Sequence, residues 1–142
     1  KELFSHVGAD DRVGAPLPAG TRMGHVHLHV AQLADAVDFY SGLVGFDVTG
    51  TSPRIGMAFV SAGGYHHHLG LNTWAGEGVA PAPEGTSGLR ELTVEVPTAA
   101  DLEGVAERLA AAGVGIDYAG GELRTEDPSS NRVRFVSRIL VR

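Results

Sequence analysis

The chain of 142 residues contains no cysteine. This absence excludes a disulfide framework, a thiolate metal site and a cysteine nucleophile, so any metal ion would have to be held by histidine and carboxylate side chains. The eleven lysine and arginine residues are scattered and are outnumbered by seventeen acidic residues, which gives a net charge of −6. Because no basic stripe is present to neutralise phosphates, we expect no nucleic-acid partner.

Long apolar runs are also missing. No stretch approaches the roughly 18 apolar residues that cross a membrane, and the first residues lack the pattern of a secretion signal. We therefore expect no membrane partner and a cytoplasmic location. The composition, 43% hydrophobic and 20% charged, is typical of one globular domain. Residues 1–21 are polar, carry Gly and Pro and do not begin with Met, so we expect a leader or an interdomain linker of a longer protein.

The first periodic segment combines a two-faced strand with a helix. In GHVHLHV, residues 24–30, the three apolar side chains share one face and the three histidines share the other. An apolar stripe from Leu33 to Val44 then predicts a helix that ends at Gly45. Short strands are predicted at residues 46–49, 56–61 and 67–74. Residues 22–75 therefore predict a β-α-β-β-β unit.

The same pattern restarts after a Gly- and Pro-rich connection at residues 76–87. The alternation of Leu92, Val94 and Val96 predicts a strand, and Thr98 with Asp101 forms a short-armed capping box before a second helix. Further strands are predicted at residues 115–118, 122–125 and 132–137, with a hairpin turn at residues 127–131. Residues 88–142 thus predict a second β-α-β-β-β unit, and the chain is an α+β domain duplicated in architecture.

The polar faces of these strands predict a ligand-binding wall. Strands with one apolar and one polar face need helices over the apolar face, and the polar face must then line water or a cavity. Two such sheets facing each other make an open barrel, whose wall suits a small ligand. We expect alternate members of residues 66–74 on this wall. The other expected wall residues are His25, His27, His29, Glu91, Thr93, Glu95 and Arg134.

Four segments resemble one known superfamily. GHVHLHV, DFYSGLVGF, YHHHLGLNTW and EDPSSNRVRF are similar to the vicinal oxygen chelate proteins, the group of glyoxalases, bleomycin-resistance proteins and extradiol dioxygenases, across residues 22–137. HVHLHV together with YHHHLGLNTW most resembles the C-terminal barrel of catechol 2,3-dioxygenase-like proteins. The resemblance implies two βαβββ units around a divalent metal, typically Fe(II), held by two histidines and one glutamate.

This ligand set suits ring cleavage because two imidazoles and one carboxylate hold Fe(II) while leaving positions open for a diol and O₂. The resemblance places the first metal ligand on His25. The second position holds Glu91 where the dioxygenases have histidine, and the third holds Arg134 where they have glutamate. An arginine cannot ligate a metal, and its charge repels one.

These departures leave two arrangements open. In one, Arg134 and Glu91, alone or with Glu95, form a buried ion pair beside His25 where a metal would otherwise sit. In the other, Arg134 turns outward, and His25, Glu91 and a histidine of the run at residues 66–68 form a remodelled metal site. The expected cofactor is none in the first arrangement and Fe(II) or another divalent metal in the second.

The resemblance also implies a histidine that moves a proton at the start of the strand at residues 67–74. Alignment through LGLN places it on His67. Strand parity instead turns His68 inward and His67 outward if Gly70 faces the cavity, so both histidines are catalytic candidates. The candidates for substrate binding are His27, His29, Asn72, Trp74 and Arg134.

Two functions of different classes follow. The first is a ring-cleaving oxygenase that acts on a small aromatic diol, of which this chain is one barrel. The second is a metal-free barrel that sequesters a small aromatic molecule or serves as an accessory structural barrel. A glyoxalase or isomerase is disfavoured, since that branch would need carboxylates near Gly70 and at Arg134. We expect a homodimer, or pairing with a second barrel of the same protein.

Overall fold

The computed structural model describes residues 16–138, so that most of the predicted leader lies outside the described residues, as do residues 139–142. The first half consists of β1 (Val26–His29), α1 (Leu33–Val37), a π-helical continuation (Asp38–Val44), β2 (Asp47–Ser52), a 3-10 turn (Pro53–Ile55), β3 (Met57–Ser61) and β4 (Leu69–Asn72). The second half consists of β5 (Leu92–Val96), α2 (Ala99–Ala111), β6 (Ile116–Ala119), β7 (Glu122–Glu126) and β8 (Arg132–Ser137). Within the described part of the chain, no helix is both long and apolar enough to cross a membrane.

Each half forms a four-stranded sheet, and the two sheets have the same topology. The strand orders are β1-β4-β3-β2 and β5-β8-β7-β6. The first strand of each half runs parallel to the last, and the other neighbours are antiparallel. The prediction of an α+β domain built from two βαβββ units is therefore confirmed.

The second helix begins as its sequence predicts. The backbone N–H of Asp101 donates to Thr98 Oγ1 at 3.1 Å, and the backbone N–H of Thr98 donates to Asp101 Oδ2 at 3.0 Å. The two bonds satisfy donors that a helix N-terminus otherwise leaves without partners. Gly113, with φ of 75°, follows the last turn.

The first helix differs from its prediction. The stripe from Leu33 to Val44 predicts one regular helix, whereas only α1 is α-helical and the rest is π-helical. The backbone N–H of Gly45 donates to the carbonyl of Tyr40, five residues back, at 3.1 Å. The consecutive residues Phe39 and Tyr40 are both buried. Gly45, with φ of 103°, then ends the segment in a conformation that glycine adopts without strain.

The strand β4 is shorter than predicted, and this changes the argument from strand parity. Gly70 does lie beside His27 on the polar face, as the parity argument assumed. The strand begins only at Leu69, however, because the positive-φ pair Gly63 and Gly64 opens a loop before it. His67 precedes the strand, so alternation does not define its direction, and its ring stacks on Phe59 of β3. Both His67 and His68 therefore stay candidates.

One apolar core continues through both halves. In the first sheet it lies on the helix side of β1, β3 and β4, and in the second sheet on the helix side of β7 and β8. Its fully buried side chains include Val30, Tyr40, Val60, Leu71, Leu102, Leu109, Leu123, Val133 and Phe135. The polar face of each sheet is left outside this core.

The turn between β7 and β8 ties the second half to the first. Tyr40 Oη donates to Asp127 Oδ2 at 3.0 Å, and both side chains are buried. Asn131 Nδ2 donates to the carbonyl of His29 at 3.0 Å, and the backbone N–H of Ala31 donates to Ser129 Oγ at 2.8 Å. The end of β1 is therefore fixed by a turn that is about a hundred residues away in the sequence.

We predict that Tyr40→Phe lowers the free energy of unfolding by about 2 kcal/mol, because it removes a hydrogen bond to a buried carboxylate and leaves that acceptor under-satisfied. Tyr118→Phe is the matched control, since Tyr118 is 44% exposed on β6 and should change stability little. Urea denaturation of both variants is the measurement. Equal stability of the two variants would show that the bond between Tyr40 and Asp127 does not hold the halves together.

Candidate metal and ligand site

Three histidines of the first half come together on the polar side of its sheet. His25 lies just before β1, and His66 and His67 lie in the loop before β4. One ring nitrogen from each can be chosen so that all three lie within 4.8 Å of one another. We call these three residues the imidazole cluster. The ring centroids of His25 and His67 are 4.6 Å apart, and those of His66 and His67 are 4.4 Å apart.

Two neighbours on the sheet position the imidazole cluster. The ring of Phe59, on β3, stacks on His67 with centroids 4.3 Å apart and planes 24° from parallel. The ring of His27, on β1, lies 5.5 Å from that of His25. His27 occupies the space above Gly70, where an added Cβ would come within 2.6 Å of the ring. Glycine at this position of β4 is therefore what allows His27 to lie flat against the sheet.

The environment of His67 favours the neutral imidazole. Partial burial lowers the pKa of His67 below its ordinary value, and the neighbouring histidines, His66 and His25 foremost, lower it further because their charges would repel an imidazolium. A metal ligand must be the neutral form, so this shift suits a ligand role.

His68 is held apart from the imidazole cluster. Its Nδ1 accepts the backbone N–H of Ala62 at 3.2 Å and lies 2.9 Å from Ser61 Oγ. Because a backbone N–H can only donate, Nδ1 of neutral His68 must be the unprotonated nitrogen, and the proton is assigned to Nε2. His68 thus presents an N–H group to its surroundings.

The remaining predicted ligand-contacting residues of the first half lie near the other end of β1 and β4. Both ring nitrogens of His29 are buried without a hydrogen-bond partner among the described residues. Asn72 is buried, and its Oδ1 accepts from the backbone N–H of Trp74 at 3.4 Å. The indole of Trp74 is 62% exposed but is oriented by its Nε1–H, which donates to the carbonyl of Ile55 at 2.8 Å. Its ring centroid lies 6.1 Å from that of His27.

The second sheet carries ion pairs on its polar face. Arg134 Nε lies 3.3 Å from Glu91 Oε1, and Arg124 Nε lies 3.7 Å from Glu91 Oε2. The same two arginines also contact Glu122, at 3.5 Å and 2.6 Å respectively. We call these four residues the charge square. Each arginine lies between two carboxylates, so the charges of the square sum to zero.

The charge square partly matches the expected ion pair. Arg134 does pair with Glu91, but the two side chains are 32% and 31% exposed, so the pair is not buried as expected. Glu95 is not a third member, because its carboxylate binds Arg138 at 3.0 Å.

Comparison with known proteins identifies the family. Residues 22–135 match the family model described as the Glyoxalase/Bleomycin resistance protein/Dioxygenase superfamily. The chain belongs to this superfamily. It is 44% identical over 122 residues to a catechol-2,3-dioxygenase of Bacillus subtilis, and the match covers 86% of the chain but 43% of that protein. The chain therefore spans less than half the length of this curated relative.

Solved structures agree on the superfamily fold. A lactoylglutathione lyase from Agrobacterium tumefaciens is similar, with a TM-score of 0.63 and 17% identity over 84% of this chain and 96% of that one. An antibiotic binding protein from a Streptomyces species has a TM-score of 0.59 and 20% identity over 87% of this chain and 100% of that one. At these identities the likeness shows the fold alone.

The donor sets of the two sheets differ in their fit to the divalent metal that the superfamily implies. Glu91 and Arg134, at the second and third ligand positions, bind each other, and no carboxylate joins His25 in the close group found within residues 16–138. Three neutral imidazoles, by contrast, are a donor set for Zn²⁺, Cu²⁺, Ni²⁺ or Fe²⁺. Among the described residues, the first sheet therefore carries a histidine group that could hold a first-row metal, and no such group is found on the second sheet.

Several residues of the site were not predicted from the sequence. Phe59 was recognisable in principle, because alternation in GMAFVS places it on the same face as the histidines of β1. Alternation in β7 could likewise have predicted that Glu122 and Arg124 share one face of the strand. The membership of His66 was not, because it depends on the course of the loop that begins at Gly63.

We predict that the imidazole of His67 titrates below the ordinary value of 6.5 in the metal-free chain. Since the unfolded chain then binds the proton more readily, this group's contribution to stability falls as the pH drops below 6.5. His66→Gln should raise the pKa of His67 by removing a repelling neighbour, whereas Asp117→Asn on β6 should not. NMR titration of the ring protons is the measurement, and a midpoint at or above 6.5 would contradict this account.

Proposed function

We propose that this chain is a metal-binding barrel of a ring-cleaving oxygenase of the catechol 2,3-dioxygenase type, acting on a small aromatic diol. The imidazole cluster is the observation that carries the proposal, since it offers three imidazole nitrogens within 4.8 Å of one another that could share one metal ion. The similarity to a catechol-2,3-dioxygenase of Bacillus subtilis supports the choice of reaction. Fe(II) is the proposed metal, and the proposed ligands are His25, His66 and His67.

The imidazole cluster suits this chemistry because three protein ligands leave coordination positions free, as in catalytic metal sites generally. When bound, a divalent metal supplies Lewis acidity and open positions for a diol and O₂. The lowered pKa of His67 keeps its ring neutral and able to ligate. His25 keeps the ligand role that the superfamily resemblance gives it.

The neighbours of the imidazole cluster supply the other functions of the site. We propose that His68 moves the proton, because its tautomer is fixed by the backbone of Ala62 and its Nε2 is left to exchange protons with a ligand. Trp74 and His27 form an aromatic wall beside the cluster on which a flat ring can stack. His29, Asn72 and Arg134 stay predictions as substrate contacts.

In this proposal the charge square stabilises the second sheet and does not contact the metal. Cross-strand pairs of opposite charge stabilise a sheet, and here they join the segment before β5 to β7 and β8. The second half would thus support the first half rather than donate metal ligands. Because the chain spans 43% of its relative, we propose that it pairs with a second barrel of the same protein or with a second copy of itself.

We predict that the purified chain, loaded anaerobically with Fe(II), holds close to one iron per chain and that His67→Ala lowers its affinity for iron at least about tenfold. Arg134→Glu should leave the affinity unchanged, because Arg134 belongs to the charge square. His68→Ala is the matched histidine control and should also keep its iron. Elemental analysis after desalting measures all four proteins.

Three results would decide against parts of this proposal. Iron that appears only in Arg134→Glu would place the metal across the two sheets, at the positions usual in the superfamily. Iron absent from all four proteins would favour the metal-free barrel that sequesters an aromatic molecule. Iron bound as predicted, but without formation of a coloured ring-opened product from catechol and O₂, would retain the metal site and reject the reaction.

A further inference from the structure

The loop between β3 and β4, residues 62–67, carries two of the three members of the imidazole cluster. It ends where the backbone N–H of His68 donates to the carbonyl of Val60 at 2.9 Å. Alternation fixes the direction of side chains in a strand but not in a loop. Other contacts must therefore hold His66 and His67 toward the third member of the cluster.

One side-chain hydrogen bond ties this loop to the edge strand of the first sheet. Thr49 Oγ1, on β2, donates to the backbone carbonyl of His66 at 2.7 Å. Among the described residues, no other hydrogen bond joins residues 63–67 to the rest of the protein. The backbone at His66 therefore has a single hydrogen-bonded support, and Thr49 supplies it.

Thr49 can make this bond because β2 is bulged at this residue. Val48 lies opposite Val60, and Gly50 lies opposite Phe59, so Thr49 is an extra residue that has no partner in β3. A β-bulge redirects the side chain of the extra residue, and bulges are frequent beside functional sites. The irregularity in the register of β2 thus falls on the residue that contacts the loop.

The residue after the bulge lies against the second member of the cluster that the loop carries. Gly50 is the cross-strand neighbour of Phe59, and a Cβ added to it would lie 3.5 Å from the ring of Phe59. That ring in turn stacks on His67, with centroids 4.3 Å apart. Strand β2 therefore supports the backbone of His66 directly and the ring of His67 through Phe59.

We infer that Thr49 is a positioning residue of the imidazole cluster, and that its hydrogen bond to the carbonyl of His66 holds the loop so that His66 and His67 face His25. This inference rests on the proposed metal site and assigns part of its preorganisation to a strand that supplies no ligand. Ligands that are already in place lose less conformational freedom when the metal binds, so the bond should raise the affinity for the metal. Because the bond is exposed, its effect should be that of one ordinary hydrogen bond, about fivefold in affinity.

Three variants of the full chain test the inference. Thr49→Val keeps the shape of the side chain and removes the donor. Thr51→Val is the matched control, because Thr51 is an exposed threonine of the same strand whose hydroxyl bonds no residue in the described part of the chain. Thr49→Ser keeps the hydroxyl and should behave as the unmodified chain does. Circular dichroism checks the fold of all four proteins, and Thr49→Ala replaces Thr49→Val if the latter does not fold.

The first measurement needs no metal. After treatment with EDTA, the stacked rings of His67 and Phe59 should give nuclear Overhauser contacts in the NMR spectrum of the unmodified chain. We expect these contacts to weaken in Thr49→Val and to persist in Thr51→Val and Thr49→Ser. Unchanged contacts in Thr49→Val would overturn the inference, since the loop would then keep its place without the hydrogen bond.

The second measurement is a calorimetric titration of the same proteins with Co²⁺. Thr49→Val should bind Co²⁺ about fivefold more weakly than the unmodified chain, and the other two variants should bind it equally well. Equal affinity in Thr49→Val, an equal loss in Thr51→Val, or no recovery in Thr49→Ser would each overturn the inference. If the unmodified chain binds no Co²⁺ but the ring contact still depends on Thr49, the proposed metal site is rejected and the positioning of the histidines by Thr49 stands.

Discussion

The carboxylate of Asp127 is the group on which the arrangement of the two halves depends. It is 4% exposed and accepts hydrogen bonds from Tyr40 Oη, from the backbone N–H groups of Ser129 and Asn131, and from Asn131 Nδ2. A buried charge without such partners would cost several kcal/mol, so the turn and the tyrosine must come together for the fold to be stable. Burial, with the neighbouring carboxylate, raises the pKa of Tyr40, so its hydroxyl remains a donor across the accessible pH range.

The position of β1 follows from this contact. The turn at residues 127–131 also binds the carbonyl of His29 and the backbone N–H of Ala31, so the strand that carries His27 and directly follows His25 is anchored at its far end. Arg108 of α2 adds a second link, because its guanidinium donates to the last carbonyls of the π-helical segment at 2.7 and 2.9 Å. The positions of the histidines of the first half therefore depend on contacts made by the second half.

The duplicated fold has diverged in the chemistry of its two polar faces. In the first sheet, imidazoles gather where the loop before β4 meets the start of β1. In the second sheet, equivalent positions carry arginines and glutamates that neutralise one another. Within residues 16–138 the two faces therefore differ in what they can bind: the first carries imidazole nitrogens that could ligate a metal, and the second carries carboxylates that are already paired with arginines.

The fold was predictable from the sequence because its signals are local. Alternation in GHVHLHV, the cap formed by Thr98 and Asp101, and the turn residues at 127–131 each depend on neighbours in the chain, and each appears in the structure. The site was only partly predictable. The pairing of Arg134 with Glu91 could be predicted from their opposite charges and from the strand register. The approach of His66 and His67 to His25 could not, because it depends on the path of a loop.

Alternation also failed to predict where strand β4 begins. Residues 67–74 were expected to form one strand, and the parity of a full strand would have turned His67 away from the polar face. The glycines at 63 and 64 allow the chain to enter β4 late, which places His67 on Phe59 instead.

We propose that the imidazole cluster of the first half, and not a set shared between the halves, holds the metal. Anomalous X-ray diffraction from crystals of the chain soaked with Co²⁺, measured at the cobalt edge, tests it most directly. The account predicts a single strong peak within bonding distance of His25, His66 and His67, with Arg134 still paired to Glu91. A peak between His25 and Glu91, with Arg134 displaced, would contradict it.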